Sequence, residues 1–392
     1  MKLWRQLAVV FRKEVIDAFR DRRALASILI GALVGPILVW FMLTRLAERQ
    51  RQVIDIDIPV VGIEYAPALV DWLGQQAGVR VVPGPADPEK AVRDGDEHVV
   101  VLISPEFQKK FRSSSPAEVK VVADGSRSTS RPFVLRVRRL LERYNGEIGS
   151  MRLVGRGVSP AIASPLNLEE LEVSTAQQRA AMILNFIPLF IVLAAFSAGM
   201  QIATDSTAGE RERGSLEPLL VNPAPRGAIA AGKWLAATFA AMLGVLLTTA
   251  LVIGVLRFIP MHEFGVRFRL GVPQVLALLG AVLPMCLLST GIQTYLATFA
   301  RSFKESQTYM GILILFPMLP GIIGSVYPLD TQGWMYAVPV LGPHVLASDA
   351  LSAKETPLWG FLAAATTALV VSLVLVQLTT SLLKRETIIF NR

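Results

Sequence analysis

The 392-residue chain has little cysteine or histidine: one of the first and three of the second. A single Cys286 excludes an intramolecular disulfide, so any water-exposed domain must hold together by its own core. Cys286 sits in an apolar run, where a free thiol packs as a small hydrophobe. His98, His262 and His344 stand far apart and fit no ligand spacing, so no metal site is expected. No Asn-x-Ser/Thr sequon occurs. The apolar run after Ala24 is too long for a signal peptide and lacks a small-residue cleavage site, so it reads as a retained span. Neither a G-x-S-x-G elbow nor a membrane catalytic dyad is visible, and no catalytic residue is expected.

The most informative absence is of charge. Six stretches contain no Asp, Glu, Lys, Arg or His: Ala24 to Thr44, Ala180 to Thr204, Trp234 to Leu256, Leu270 to Ala300, Ser306 to Leu329, and Thr356 to Leu383. A bilayer core needs about 20 apolar helical residues, so each stretch can span once. Proton-coupled pumps keep a carboxylate or His in the membrane, which argues against a proton antiporter here. Sodium as cargo stays open, because it needs only oxygen ligands. Asn185, Ser197, Thr290 and Thr294 are pathway candidates for that role, beside Thr248 and Ser289. Pro317 and Pro320 interrupt the fifth span and can free carbonyls there. Gly31 and Gly35 in the first span allow close helix approach.

What is present fits a mixture of spans and a water-facing domain: 52% hydrophobic residues, 18% charged and a mean hydropathy of +0.48. The net charge of +8 needs no nucleic acid as partner. With the N-terminus inside, segments 1–23, 205–233, 301–305 and 384–392 carry 16 basic residues, against 4 in the short outer loops 257–269 and 330–355. This positive-inside bias predicts a multi-pass membrane protein with both termini cytoplasmic.

The predicted architecture is a polytopic α-helical membrane protein of six spans, with an extracytoplasmic α/β domain inserted between spans one and two. Residues 1–23 form an amphipathic helix suited to the inner lipid interface, with Lys13, Glu14, Arg20, Asp21, Arg22 and Arg23 among its charges. Spans are placed at 24–44, 180–204, 234–256, 270–300, 306–329 and 356–383, with a tail at 384–392. In 45–179, strand patterns at Ile56 to Ile63, Val79 to Pro83, His98 to Ile103 and Val119 to Ala123 alternate with helical ones. The last helix runs from about Ser128 to Arg152, and the order predicts a mostly parallel sheet. Residues 330–355 read as a re-entrant or interfacial segment, since the apolar run Thr331 to Ser348 is short and broken by Pro339 and Pro343.

One cytoplasmic segment, 205–233, carries a distinctive pattern. Glu210, Arg211, Glu212 and Arg213 alternate in charge, Gly214 and Ser215 break the run, and Leu216, Leu219 and Leu220 add an apolar patch. A short surface helix of this kind suits a groove on a partner. An ordinary polar loop is the other reading. Gly227 to Lys233 matches G-x-x-x-x-G-K, but Trp234 stands where the Mg²⁺-binding hydroxyl belongs and a span follows, so no P-loop is expected.

The run Gly209, Glu210, Arg211, Glu212, Arg213, Gly214, Ser215, Leu216, Glu217, Leu219, Leu220, followed by Pro223 and by Gly232 and Lys233, resembles the hallmark of type-II ABC exporter permeases. Phe11-Arg-Lys-Glu14 and Arg20-Asp-Arg-Arg23 resemble that family as well. Gln177-Gln-Arg and Phe196-Ser-Ala-Gly199 are similar to its NatB sodium-efflux permease subgroup. The resemblance implies that Gly209 through Leu220 form a coupling helix docked on a separate ABC ATPase subunit. ATP and Mg then belong to that partner, and this chain binds no cofactor. It also implies pairing with a second permease copy or paralogue, and sodium efflux as the task. Export of a drug, lipid or peptide stays open. So do a secondary transporter and a membrane receptor sensing through residues 45–179.

Overall fold

The structure, a computed structural model, describes residues 3–127, 129–163, 184, 186–221, 224–259, 271–326, 331–352 and 354–384. It divides into two compact units, Met1–Thr44 with Ser174–Arg392, and Arg45–Val173.

The first unit is helical. Among the described residues six helices, the first of which runs on past Thr44, are long and apolar enough to cross a membrane: Arg22–Glu48, Phe186–Glu212, Arg226–Phe258, Val272–Phe299, Phe303–Ile323 and Leu358–Leu382. The chain is a polytopic helical membrane protein. The fourth span packs against the second, third and sixth. Phe196, Val245, Met285, Leu288 and Leu346 lie in the shared core. Leu33, Ile37 and Phe41 of the first span, Phe316 and Leu319 of the fifth, and Leu362 and Val370 of the sixth stay exposed. Apolar faces of that extent belong in hydrocarbon rather than water.

Helices outlast the uncharged runs. The first continues to Ile54, the second reaches Glu212, and the third starts at Arg226. The fifth opens at Phe303 behind an N-cap, Ser302, whose hydroxyl accepts from the Glu305 N–H. It is interrupted after Leu313 and resumes as Met318–Val326, with buried Pro317 at the break. Proline has no N–H to continue the ladder. The second span is interrupted at Ala198 and Gly199. There the carbonyl of Ala195 accepts from Ser289 Oγ (2.7 Å) and that of Phe196 from Gln293 Nε2, both on the fourth span. Between spans five and six, helix Leu341–Leu351 has 11 residues. At 1.5 Å per residue it is about 16 Å long, roughly half a bilayer core. It is buried in the bundle through His344, Leu346 and Ala347.

The second unit holds a four-stranded sheet of order β2-β1-β3-β4, with β1 Ile56–Val61, β2 Val79–Pro83, β3 Val100–Ile103 and β4 Val119–Val122. β1 is parallel to β2 and β3, whereas β4 is antiparallel to β3. Helices Pro67–Gly74, Pro88–Asp94 and Phe107–Arg112 connect the strands, and Arg131–Val154 follows them. Val137 and Tyr144, seven residues apart on that long helix, join Ile58, Val60, Leu69, Leu73 and Val101 in one core. Arg152 sits over the Phe111 ring at 4.5 Å.

Asp57 and Arg80 are cross-strand neighbours in the β1–β2 register and meet through two hydrogen bonds, 2.7 and 2.6 Å. Those bonds hold the Asp57 carboxyl below its ordinary value of 3.8. A depressed folded value stabilises above the unfolded one and is lost as pH falls through the folded one. Asp57→Asn is therefore expected to lower the unit's thermal midpoint at neutral pH. The gap to wild type should close on acidification below 3.8, as followed by calorimetry at several pH values.

Candidate functional site

The 205–233 segment is organised around a buried amine. Lys233, seven residues into the third-span helix, is 2% exposed. Its Nζ donates to Glu14 Oε1 (2.8 Å), Glu210 Oε2 (2.5 Å) and the Ser206 carbonyl (2.7 Å). Lys13 Nζ closes the group by donating to Glu210 Oε1 at 2.7 Å and Glu14 Oε1 at 3.1 Å, with Asp17 at 3.4 Å. Burial lowers the affinity of Lys13 for its proton. The hydrogen bond to Glu210 and the charges of Glu14 and Glu210 outweigh this and raise it above the ordinary 10.5. Two acids and two amines thus join the N-terminal helix Leu3–Arg20 to the end of span two and the start of span three.

Local geometry makes this junction possible. Asp205–Gly209 is a π-helical turn, an insertion frequent at functional positions. It continues the second span to Glu210–Glu212. Gly232 lets the N-terminal helix come close: a Cβ there would lie 2.7 Å from Val10 Cγ1 and 3.2 Å from the Phe11 N. Phe11 meets Phe239 edge-on, with centroids 6.3 Å apart.

The four alternating charges all have partners within the chain, while Glu212 and Arg213 also stay exposed. Glu210 is 7% exposed and lies inside the ionic group. Arg211 donates to the carbonyls of Thr298 (2.6 Å) and Ala300, where the fourth span ends. Glu212 accepts from the Phe303 N–H (2.8 Å) at the start of the fifth span, and Arg213 pairs with Asp205 (2.8 Å). Helix ends leave backbone groups without partners, and Arg211 and Glu212 satisfy some of them. Gly214 turns the chain with a φ of 68°. Ser215 then donates from N and Oγ to the Glu210 carbonyl. In the short helix Leu216–Val221, Leu216 is buried against Ala230 and Leu383, with Leu219 partly buried beside them. Glu217 and Val221 are exposed. The Leu220 side chain, Pro223 and Asn185 lie outside the described residues.

The family model described as ABC-2 family transporter protein matches residues 22–379. The chain belongs to that family. It is also 28% identical over 359 residues to the ABC transporter permease protein NatB of Bacillus subtilis (strain 168), covering 90% of this chain and 91% of that protein. The match covers both halves of the ABC-2 chain, with the 205–233 segment near its middle.

In this ABC-2 chain the N-terminal helix Leu3–Arg20 packs one face on the third span and leaves another exposed. Val10 and Glu14 are buried against the third span, while Trp4, Val9, Ile16 and Phe19 are exposed. Asp21 separates that helix from the first span and caps the latter through the Arg23 N–H (2.8 Å). Arg20, Arg22 and Arg23 are exposed. Gly31 and Gly35 face Ser197 and Phe190 of the second span, so their spacing serves packing within the chain.

Of the pathway candidates, Thr290 and Thr294 fall on the buried face of the fourth span, with Ser289, Gln293 and Thr298. Thr290 Oγ1 contacts Thr238 Oγ1 at 2.7 Å. Thr294 Oγ1 and Gln293 Oε1 are buried without a hydrogen-bond partner among the described residues. Thr294, Thr298, Arg211 and Lys233 share a cavity of about 10 Å³, the size of one water. Ser197 turns to the first span instead, and Pro317 marks the break in the fifth. Gln293 and Thr238 escaped a search for ionisable groups; an uncharged amide within a span was the available signal.

Proposed function

We propose that this chain is the membrane-spanning permease subunit of an ATP-driven exporter, assembled with a second permease copy or paralogue and two nucleotide-binding subunits. Its cargo in this reading is the sodium ion. In this reading both termini and residues 205–233 face the cytoplasm and the Arg45–Val173 unit faces outward, an orientation that the basic-residue distribution supports.

The observation that carries the reading is the rigid attachment of the exposed helix Leu216–Val221. Leu216 anchors it to the third and sixth spans, and the Lys233–Glu14–Glu210 group locks its base to the second, the third and the N-terminal helix. A push on Glu217 and Val221 by a closing ATPase then reaches several helices at once. The docking face is this helix, and the Glu210–Arg213 run transmits force inside the chain. Sodium is supported by the 28% likeness to NatB and by uncharged buried oxygens on the fourth span. Sodium sites at broken helices use unwound backbone carbonyls, and the second span is interrupted beside these residues at Ala198 and Gly199.

Glu217→Lys combined with Val221→Asp tests the docking face in proteoliposomes holding the co-purified ATPase subunit. Expected are an unchanged thermal midpoint and ATP-driven ²²Na⁺ efflux reduced about tenfold or more, the usual scale for a lost interface anchor. Wild-type efflux in the variant overturns the assignment of this helix. Absence of ATP-driven ²²Na⁺ movement in the wild type overturns the cargo.

A further inference from the structure

The Arg45–Val173 unit carries a groove that the transport reading does not use. It has a volume of about 550 Å³ and lies between the end of helix Pro67–Gly74 and one face of Arg131–Val154. Gln76, Arg136, Arg139 and Arg143 line it with the apolar Pro132 and Leu135. No acidic residue is among its described lining residues.

Arg143 pairs with Glu147 (3.1 Å), and Arg138, which does not line the groove, pairs with Glu142 (3.0 Å). Arg136 and Arg139 have no acidic partner among the described residues. Arg136 is fixed by Nη2 donating to the Ala77 carbonyl (2.9 Å), while its Nε is buried without a hydrogen-bond partner. Residues three apart on a helix have Cβ atoms about 5–6 Å from each other, and like charges at that spacing repel. A buried guanidinium donor left unsatisfied adds a further cost. The repulsion is relieved when an anion bridges the two guanidinium groups, which bind phosphate through more than one N–H. Leu135, 45% exposed at the rim, offers an apolar surface to whatever the anion is attached to.

We propose that this groove binds an amphiphilic phosphate, its head held by Arg136 and Arg139 and its alkyl portion resting on Pro132 and Leu135. A lipid headgroup and a free organic phosphate share this chemistry, and the experiment separates them.

The full-length protein, reconstituted in phosphatidylcholine nanodiscs, is titrated with hexyl phosphate by isothermal calorimetry. Saturable binding that weakens with salt is expected, with hexanol giving none and inorganic phosphate binding more weakly. Arg136→Gln with Arg139→Gln should weaken hexyl phosphate about tenfold or more, the equivalent of one charge-assisted hydrogen bond, and Arg138→Gln should leave it unchanged. Should the double variant fail to fold, the exposed Arg139→Gln alone decides, with a several-fold loss expected. In discs containing phosphatidylglycerol, competition against hexyl phosphate identifies the lipid as occupant, and unchanged affinity identifies a free organic phosphate. No saturable binding, or equal affinity in a folded Arg139→Gln protein, overturns the proposal.

Discussion

Lys233→Met is expected to lower the thermal midpoint of the purified protein by on the order of 5–10 °C and to abolish ATP-coupled transport. Methionine fills nearly the same volume, so the loss is electrostatic. Glu14 and Glu210, 4% and 7% exposed, lose their shared donor. Removing one partner of a buried ion pair costs about 3–5 kcal/mol, because the charge left behind is uncompensated. Lys13 limits the damage only partly, being itself nearly half exposed. The decisive comparison is the double variant Glu210→Gln, Lys233→Met. It removes one charge of each sign and leaves Glu14 to Lys13, so it should recover most of the midpoint while transport stays lost. A single variant as stable as wild type would mean that the four groups are not coupled in the folded protein.

The second large effect runs against helix propensity. Gly→Ala inside a helix ordinarily stabilises by about 0.5–1 kcal/mol. Gly232→Ala is expected to destabilise by about 1–3 kcal/mol instead, the cost of overpacking. Its new methyl would stand 2.8 Å from Val10 Cβ and 3.2 Å from a backbone nitrogen, so the whole N-terminal helix must move away. That displacement pulls Glu14 off Lys233. Amides of residues 3–20 should exchange hydrogen faster in this variant. Adding Val10→Ala should restore part of the protection, since it removes Cγ1, the nearest atom, and leaves Cβ at 2.8 Å. Faster exchange that Val10→Ala leaves untouched would place the cause elsewhere.

The six spans were legible because lipid thickness sets a length and excludes charge, and both are written in the chain. Their ends were not. Hydropathy stops at Asp205 and resumes after Lys233, yet helix continues to Glu212 and restarts at Arg226. The charges in between are tolerated because they find partners, and the Glu14–Lys233 bond joins residues 219 apart in sequence. No local pattern reveals such a pair. Glu210 and Arg211 looked like surface residues for the same reason. In the second unit, short runs rich in Val and Ile at Ile56–Val61 and Val100–Ile103 marked strands, but side-chain pattern carries no strand direction. The antiparallel β4 was therefore not foreseen. The interruption at Ala198 and Gly199 left only a small-residue pair as its trace, a signal shared with ordinary close packing.

That interruption changes how the second span can respond to load. The carbonyls of Ala195 and Phe196 are held by Ser289 and Gln293 rather than by the next turn of their own helix. Bending there exchanges side-chain partners on a neighbouring rod and leaves the hydrogen-bond ladders on either side whole. A load applied beyond Gly209 would bend the second span at this elbow, and the fourth span, which supplies both props, would follow the angle.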